Sequence, residues 1–459
     1  MTSLLSSPIR FRVLLLLCGC GIGSYVVAAL RLAPGADLVR HAAWFLVSFG
    51  FYLLAVMAVL AREQRRTESP GWAGDLVLVL GVAVLLRVGL LATTPSLSDD
   101  VFRYVWDGKL LNAGLDPYRY PPVAPELESL RDDLWEGINH KSMATPYPPM
   151  AEALFALAYR LAPDSLKAMQ VMAVAFDLGV VLLLIPMLAR FGVDRRRVLV
   201  YAWNPLVLLQ FAHSAHYDAA MVLPLLGALY LVALGRKALS GALLGVSVLV
   251  KLVPVILAPL FLPLWGVSGL VAMGLVTATG LLPWLGAGTA AGGILAEAAD
   301  ARFNDSFGYL LVRLLDRMVP DSESAARVVA GGLLLLSGTL LLGLLWKHGA
   351  DWKRLLVDTY VLLGLFLLLN PVVEPWYLTW IVPFLSFTLA SGRNALPRLQ
   401  PSLGWLLLSG SVTLTDLTYL PRVGSSLWVW VRALEYLPLF ALLCLGVWRR
   451  GAQLLPRFR

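Results

Sequence analysis

Ser98-Asp99-Asp100-Val101-Phe102-Arg103-Tyr104-Val105-Trp106-Asp107-Gly108 begins where an apolar run, residues 75–94, ends. Three carboxylates and a guanidinium therefore stand at the lip of a membrane, where ionised groups are costly and by default mark a working site. A carboxylate at such a rim can take a proton from an incoming hydroxyl, so Asp99 or Asp100 is the candidate general base. Two adjacent acids repel each other in a low-dielectric rim, so one has a raised pKa or is neutralised by Arg103. The stretch continues into Asp116-Pro117-Tyr118-Arg119-Tyr120-Pro121-Pro122, which is rich in aromatics and rigid turns. Acid plus aromatic at a membrane edge suggests carbohydrate chemistry on a lipid-borne substrate.

Other unusual polar residues join them. His213, His216 and Asp218 lie in Phe211-Ala212-His213-Ser214-Ala215-His216-Tyr217-Asp218, at a turn between apolar runs. Lys251 stands in the middle of the apolar segment 240–264, which also carries Pro254, Pro259 and Pro263. A buried ammonium is costly unless it meets an anion, and a phosphate leaving group fits that need. His213 or His216 could donate to the same phosphate. Asn304 and Asp305 lie in a second long loop, and Glu374-Pro375-Trp376-Tyr377 forms a further turn. Trp106, Tyr118, Tyr120, Tyr147, Trp376 and Tyr377 are candidates to stack on sugar faces. Blander readings stand beside these. Ser-Asp-Asp is a good helix start, and Asp107-Gly108 and Asp116-Pro117 are turn formers. Lys251 could snorkel to an interface, and Trp376 and Tyr377 suit interface anchors. A divalent cation, Mg²⁺ or Mn²⁺ held by Asp99, Asp100 and Asp218 against phosphate, is a candidate cofactor that the chemistry does not require.

The elements that must position these residues are membrane helices. The chain has 459 residues, 59% of them hydrophobic and only 14% charged, with a mean hydropathy of +0.75; soluble domains carry about 25% charged residues. The net charge of +8 is dispersed in short clusters between apolar runs, the pattern of cytoplasmic loops rather than of a nucleic-acid binder. Cys18, Cys20 and Cys444 lie in apolar runs and give neither a disulfide framework nor a metal spacing. Residues 11–31 read as a retained first span rather than a cleaved signal.

With roughly 20 apolar residues per span, the expected spans are 11–31, 41–61, 75–94, 167–190, 197–212, 217–235, 266–286, 326–347, 355–373, 376–391, 402–420 and 428–448. Segments 148–162 and 240–264 are too short or too interrupted to fit. If both dip in and return, the clusters Arg62/Arg65/Arg66, Arg190/Arg195–Arg197, Arg236/Lys237, Lys347/Lys353/Arg354, Arg393/Arg398 and Arg449/Arg450/Arg457/Arg459 share one side. The expectation is an all-α polytopic membrane protein with about twelve full spans, two re-entrant or short segments and both termini cytoplasmic. Irregular backbone at membrane depth is tolerated where it lines a cavity or is buried in protein, so both segments point to one central cavity. The loop 95–147 holds nine acids against five bases, and Val101–Ala113 suits a short interfacial helix. The loop 287–325 holds six acids against three bases. The chain divides into N-terminal spans 1–94, an outer loop 95–147, a transmembrane core 148–286, a second outer loop 287–325 and C-terminal spans 326–459.

Asp99-Asp100-x-x-Arg103-Tyr104-x-Trp106-Asp107-Gly108, followed by Asp116-Pro117-Tyr118, resembles the first outer loop of integral-membrane GT-C glycosyltransferases. It is most similar to the bacterial branch related to polyprenyl-phosphomannose-dependent α-mannosyltransferases. Tyr147-Pro148-Pro149, Trp203-Asn204-Pro205-Leu206 running to His216-Tyr217-Asp218, Val250-Lys251-Leu252-Val253-Pro254, Arg302-Phe303-Asn304-x-Ser306 and Glu374-Pro375-Trp376-Tyr377 resemble further signatures, in order, across residues 98–377. Relatives often carry His where Glu374 stands. The resemblance implies inverting transfer of a sugar, mannose by similarity, from a polyprenyl-phosphate donor to a lipid, glycan or protein acceptor. It implies a site on the periplasmic side of a bacterial inner membrane, in contact with membrane lipids. The base becomes Asp100, or Asp99 if the register slips by one. A transporter or flippase for a lipid-linked or anionic solute is the rival, since it too would show intramembrane charge and broken helices.

Overall fold

The computed structural model describes residues 7–29, 38–63, 72–285, 304, 307–316, 318–319, 321–349, 351–390, 400–419 and 425–454. Among these residues the protein is all-helical. Seven helical stretches are long and apolar enough to cross a bilayer: Pro8–Ala29, Leu38–Glu63, Trp72–Leu91, Leu166–Phe191, Val253–Leu282, Ser322–Lys347 and Trp428–Gly446.

The other expected spans take different forms. Segment 197–212 breaks at Asn204–Pro205, where proline lacks an N–H and forces the preceding residue out of the helical region. Asn204 sits at ψ 120° and its side chain takes the Leu206 N–H instead. Segment 217–235 is the 15-residue helix Ala219–Ala233. Trp352–Leu369 carries Lys353, Arg354 and Asp358 in its first half. Segment 376–391 becomes a 3₁₀ turn, Pro375–Trp380, and a short helix, Val382–Thr388. Segment 402–420 passes from helix to 3₁₀ at Val412.

The chain folds into two compact units. The first comprises Met1–Thr93, Leu184–Gln210 and Val373–Arg459. In it α1 (Pro8–Ala29), α2 (Leu38–Glu63) and α3 (Trp72–Leu91) hold the broken segment around Asn204. Arg87 donates to the Ala202 carbonyl at 2.8 Å, Trp203 Nε1 to the Val79 carbonyl at 2.8 Å, and Asn204 Nδ2 to Ser409 Oγ at 3.0 Å. The first satisfies a carbonyl just before the break, and the other two tie Trp203 and Asn204 to the neighbouring helices. The basic clusters are clamps as well as charges. Arg12, Arg62 and Arg196 converge on buried Asp75, and Arg197 ties Glu63 to the Leu389 carbonyl. Arg65, Arg66, Arg393, Arg398, Arg457 and Arg459 lie outside the described residues.

The second unit comprises Thr94–Leu183 and Phe211–Val372. It contains α4 (Asp100–Asn112), α5 (Pro149–Leu161), α6 (Leu166–Phe191) as far as Leu183, α7 (Ala219–Ala233), α8 (Lys237–Val250) and α9 (Ala258–Leu285). The expected interfacial helix is α4. Its Gly108 is not a turn former, as the sequence allowed, but the point where α4 meets α5: a Cβ there would lie 2.6 Å from the Phe155 carbonyl oxygen. At 13 residues, α5 is about 20 Å long at 1.5 Å per residue, too short to span about 30 Å of hydrocarbon alone.

Segment 240–264 doubles back. Antiparallel α7 and α8 are pinned by Ser247 Oγ to the Met221 carbonyl and Ser240 Oγ to the Ala228 carbonyl. The chain leaves helical geometry at Lys251 (φ −145°, ψ 137°) and returns through Val253–Leu257 and the start of α9 to Trp265, whose indole donates to Ser240 Oγ at 2.8 Å. Gly266, at φ +60°, then turns the chain again. Lys251 therefore sits at a reversal rather than in mid-helix.

Candidate functional site

All of the site geometry that follows lies within the second unit. Asp100 is the first residue of α4 and Asp99 precedes it. Asp99 makes no side-chain capping bond, so the helix-start explanation does not account for its carboxylate. Both acids instead accept from one amide: Asn139 Nδ2 lies 2.8 Å from Asp99 Oδ1 and 2.9 Å from Asp100 Oδ1. One turn along α4, Tyr104 Oη donates to Asp100 Oδ2 at 3.5 Å and lies 3.3 Å from His216 Nδ1. Asp100 Oδ2 and His216 Nδ1 are 3.8 Å apart. The Asp100 side chain is 19% exposed and His216 1%.

The turn carrying the histidines is held open against its backbone preference. Ala215 has φ +64°, a conformation unusual for a residue with a Cβ and found where surrounding structure enforces it. Gln170 of α6 supplies that enforcement, donating to the Ala212 and His213 carbonyls at 2.9 and 2.8 Å, with Lys167 Nζ on its Oε1. His213 Nε2 lies 3.2 Å from Ser96 Oγ. Asp218 is buried at the start of α7, and Lys251 Nζ donates to its Oδ1 at 2.6 Å. The ammonium also stands 5.1 Å from the Tyr217 ring, a cation–π contact. Tyr217 packs edge-on to Tyr104, Tyr147 and Phe155, with centroids 5.2–5.7 Å apart. This aromatic knot links the Lys251–Asp218 pair to the Asp100–Tyr104–His216 group. Burial, and then the Lys251 charge, holds His216 well below the ordinary imidazole range, so it is neutral at pH 7.

Several sequence-predicted residues face the interior of the first loop. Arg103 does not neutralise Asp99 or Asp100, as the sequence allowed; its Nε pairs with both oxygens of Asp107 (2.9 and 3.0 Å), and its Nη1 donates to the Met143 carbonyl. The i, i+4 spacing on α4 brings that pair together first. Trp106 is buried with Leu110, Ala124, Leu127 and Ile138, and Tyr120 packs against this core. Tyr118 donates to the Tyr147 carbonyl, and Asp116 forms a turn by accepting the Tyr118 N–H. Beneath Asp107 lies a residue that sequence reading missed. Glu152 of α5 is fully buried and accepts from Thr145 Oγ1 at 2.6 Å. Burial and the neighbouring Asp107 push Glu152 well above the carboxylate range, and burial raises Asp107 as well. An acid three residues after Pro149, followed by the apolar run Ala153–Ala158, was the available signal.

Asn304 is buried at φ +47°; Arg302, Phe303, Asp305 and Ser306 lie outside the described residues. Glu374, Trp376 and Tyr377 belong to the first unit, where Tyr377 stacks on Trp380 at 4.6 Å and meets Trp376 edge-on. Among the described residues no three His, Cys, Asp or Glu side chains are grouped to hold a metal ion.

An apolar cavity of about 420 Å³ completes the site's surroundings. It runs between α5, α6, α7 and α8, with Leu154, Phe176, Leu223, Tyr230, Leu243 and Val250 in its lining. Val250, in its lining, immediately precedes Lys251 in sequence. The arrangement offers an oriented carboxylate for a hydroxyl proton, a cation for an anionic group and an apolar slot for a chain.

A family model described as alpha-(1→6)-mannopyranosyltransferase, N-terminal domain, the MptA_B family, matches residues 11–267, more than half of the chain. No curated protein and no solved structure matches the chain.

Proposed function

The chain belongs to the MptA_B family of alpha-(1→6)-mannopyranosyltransferases, and from that premise we propose that it moves mannose from a polyprenyl phosphate to the primary 6-hydroxyl of a sugar acceptor. It is a membrane protein of a glycosyltransferase family; the donor, the stereochemical course and the base are our reading. The acceptor O6–H gives its proton to Asp100. The oxygen forms the new bond to C1 of mannose as the C1–O bond to phosphate breaks, and the polyprenyl phosphate leaves with the electron pair. Inversion that yields an α-linkage requires a β-linked donor. Phosphate leaves as a stable anion, so no general acid is required, and Lys251 offsets its charge.

The observation that carries this reading is the cluster of Asp100, Tyr104 and His216 joined through Tyr217 to Lys251 and Asp218. Asp100 is preferred to Asp99 because it alone of the two contacts Tyr104. The apolar cavity, with Val250 just before Lys251 in its lining, suits the first isoprene units of the carrier. The reading further holds that about twelve crossings result when the broken segments are counted, with the site at the periplasmic side of a bacterial inner membrane. The test is transfer by purified protein in lipid nanodiscs, from β-mannosyl phosphoryl polyprenol to an alkyl α-mannoside. A 6-deoxy acceptor serves as control. Product formation that needs the 6-hydroxyl and fails with nucleotide-linked mannose is expected; transfer from the nucleotide sugar alone would contradict the donor assignment.

A further inference from the structure

We infer that Asn139 and Tyr104 are positioning residues that hold the two oxygens of Asp100 in the orientation that receives the acceptor proton. This rests on Asp100 being the base. A general base must lie within about 2.6–3.2 Å, heavy atom to heavy atom, of the group whose proton it takes, with a lone pair aimed at that proton. A carboxylate on the first residue of a helix, partly open to solvent, has no such fixed aim by itself. Here Oδ1 receives the Asn139 amide and Oδ2 the Tyr104 hydroxyl. The carboxylate plane is thereby set from two sides by donors from separate elements.

Both donors are themselves anchored. Asn139 follows Ile138, which is buried in the loop core with Trp106 and Leu110. Beyond it, the Val123 N–H bonds to the Lys141 carbonyl and the Met143 N–H to the His140 carbonyl. The amide is thus delivered by a loop pinned on both flanks. Tyr104 stands four residues after Asp100, on the same helix face, and its ring stacks on Phe155 at 4.6 Å. Its hydroxyl has one proton. With that proton directed to Asp100, the oxygen accepts from His216, so the neutral imidazole carries its hydrogen on Nδ1.

The donors' neutrality is the second part of the inference. A cation against Asp100 would lower its pKa by about 1–3 units and weaken it as a base. Arg103 is one turn away, and Asp107 occupies it. An uncharged amide and a phenol orient Asp100 without quenching it. The titratable groups facing Asp100 are Asp99, Tyr104, Tyr147 and His216, with Tyr217, Asp218 and Lys251 behind them.

The test uses the full chain in nanodiscs, with β-mannosyl phosphoryl polyprenol and octyl α-mannoside as probes. Asn139→Ala and Tyr104→Phe are expected to lower kcat about 10–100-fold, within the range of general-base contributions, while both KM values stay within about threefold. Asn139→Asp places a third carboxylate against the pair, so the acid limb of kcat/KM should move up by about one pH unit. Asn139→Gln, with the same amide on a longer arm, should recover part of the Asn139→Ala loss. Thermal unfolding midpoints close to wild type are expected, since Asn139 lies in a loop and Phe keeps the stacked ring. Wild-type kcat in Asn139→Ala and Tyr104→Phe, or an unmoved acid limb in Asn139→Asp, would overturn the inference while leaving Asp100 as base. A wild-type protein that transfers nothing from this donor would overturn the proposed function and the inference with it.

Discussion

At the scale of single residues, Lys251 shows how a buried charge is put to use. Its ammonium pairs with Asp218 at 2.6 Å and is 13% exposed, so it is not sealed off from a ligand. Lys251→Met keeps the side-chain length and removes the charge. Donor use is expected to weaken about tenfold or more, with acceptor KM unchanged, because only the phosphate gains from the cation. Removing one partner of a buried pair also costs about 3–5 kcal/mol, so Lys251→Met with Asp218→Asn should regain the unfolding midpoint without regaining donor use. Kinetics with each substrate varied in turn checks this; equal losses for donor and acceptor would count against a phosphate role. Asp100, His216, Asp218 and Lys251 were legible in the sequence because an ionisable group in an apolar context announces itself. Asn139 and Gln170 were not, since a neutral donor in a loop or helix has no local signature, and Tyr104 stood in the first motif without a role to mark it. Arg103 takes Asp107 rather than Asp99 or Asp100 as its partner: proximity in sequence to the adjacent acids mattered less than the helical spacing to Asp107.

At the scale of elements, the informative segments were those that fitted a membrane helix badly. The short α5, the interrupted 240–264 and the break at Asn204–Pro205 each position something. α5 presents Phe155 and Glu152 to α4, and the doubled-back α8 segment brings Lys251 to Asp218. The Asn204–Pro205 interruption and the 3₁₀ turns of 375–380 and 412–419 were not foreseen, because hydropathy averages over a window and is blind to which residue lacks an N–H. The cavity between α5, α6, α7 and α8 gives these elements a shared test. Leu231→Trp fills it at the end near the α7–α8 connection. With a long-chain polyprenyl donor, KM is expected to rise about tenfold, which matches the loss of some tens of Å² of apolar burial at about 25 cal/mol per Å². With a two-isoprene donor, which reaches only the end at Val250, KM should not change. An equal effect on both donors would show that the cavity does not hold the carrier chain.

For the molecule as a whole, the class was legible from composition alone: the described residues are all-helical, with seven helices long and apolar enough to cross a bilayer. The division into two compact units was not legible. Each unit draws on separated stretches of chain, so no composition shift marks its edges. The orientation proposed for the chain depends on basic clusters, several of which are also committed to buried ion pairs, so labelling is the better judge. In a variant whose native cysteines are serine, Ser142→Cys should react with an impermeant thiol reagent in intact cells. Lys237→Cys should react only after the membrane is opened. Reaction of both from one side would reject the proposed topology.

The most direct measurement of the central claim is the single-turnover rate of Asp100→Asn beside Asp99→Asn, with saturating β-mannosyl phosphoryl polyprenol and an alkyl α-mannoside. The amide cannot accept the acceptor proton, so Asp100→Asn should lose about 10²–10⁴-fold in rate while still binding the donor, and Asp99→Asn should retain most of its activity. A near-wild-type rate in Asp100→Asn would contradict the assignment of the base, and with it the catalytic meaning of the cluster built around that carboxylate.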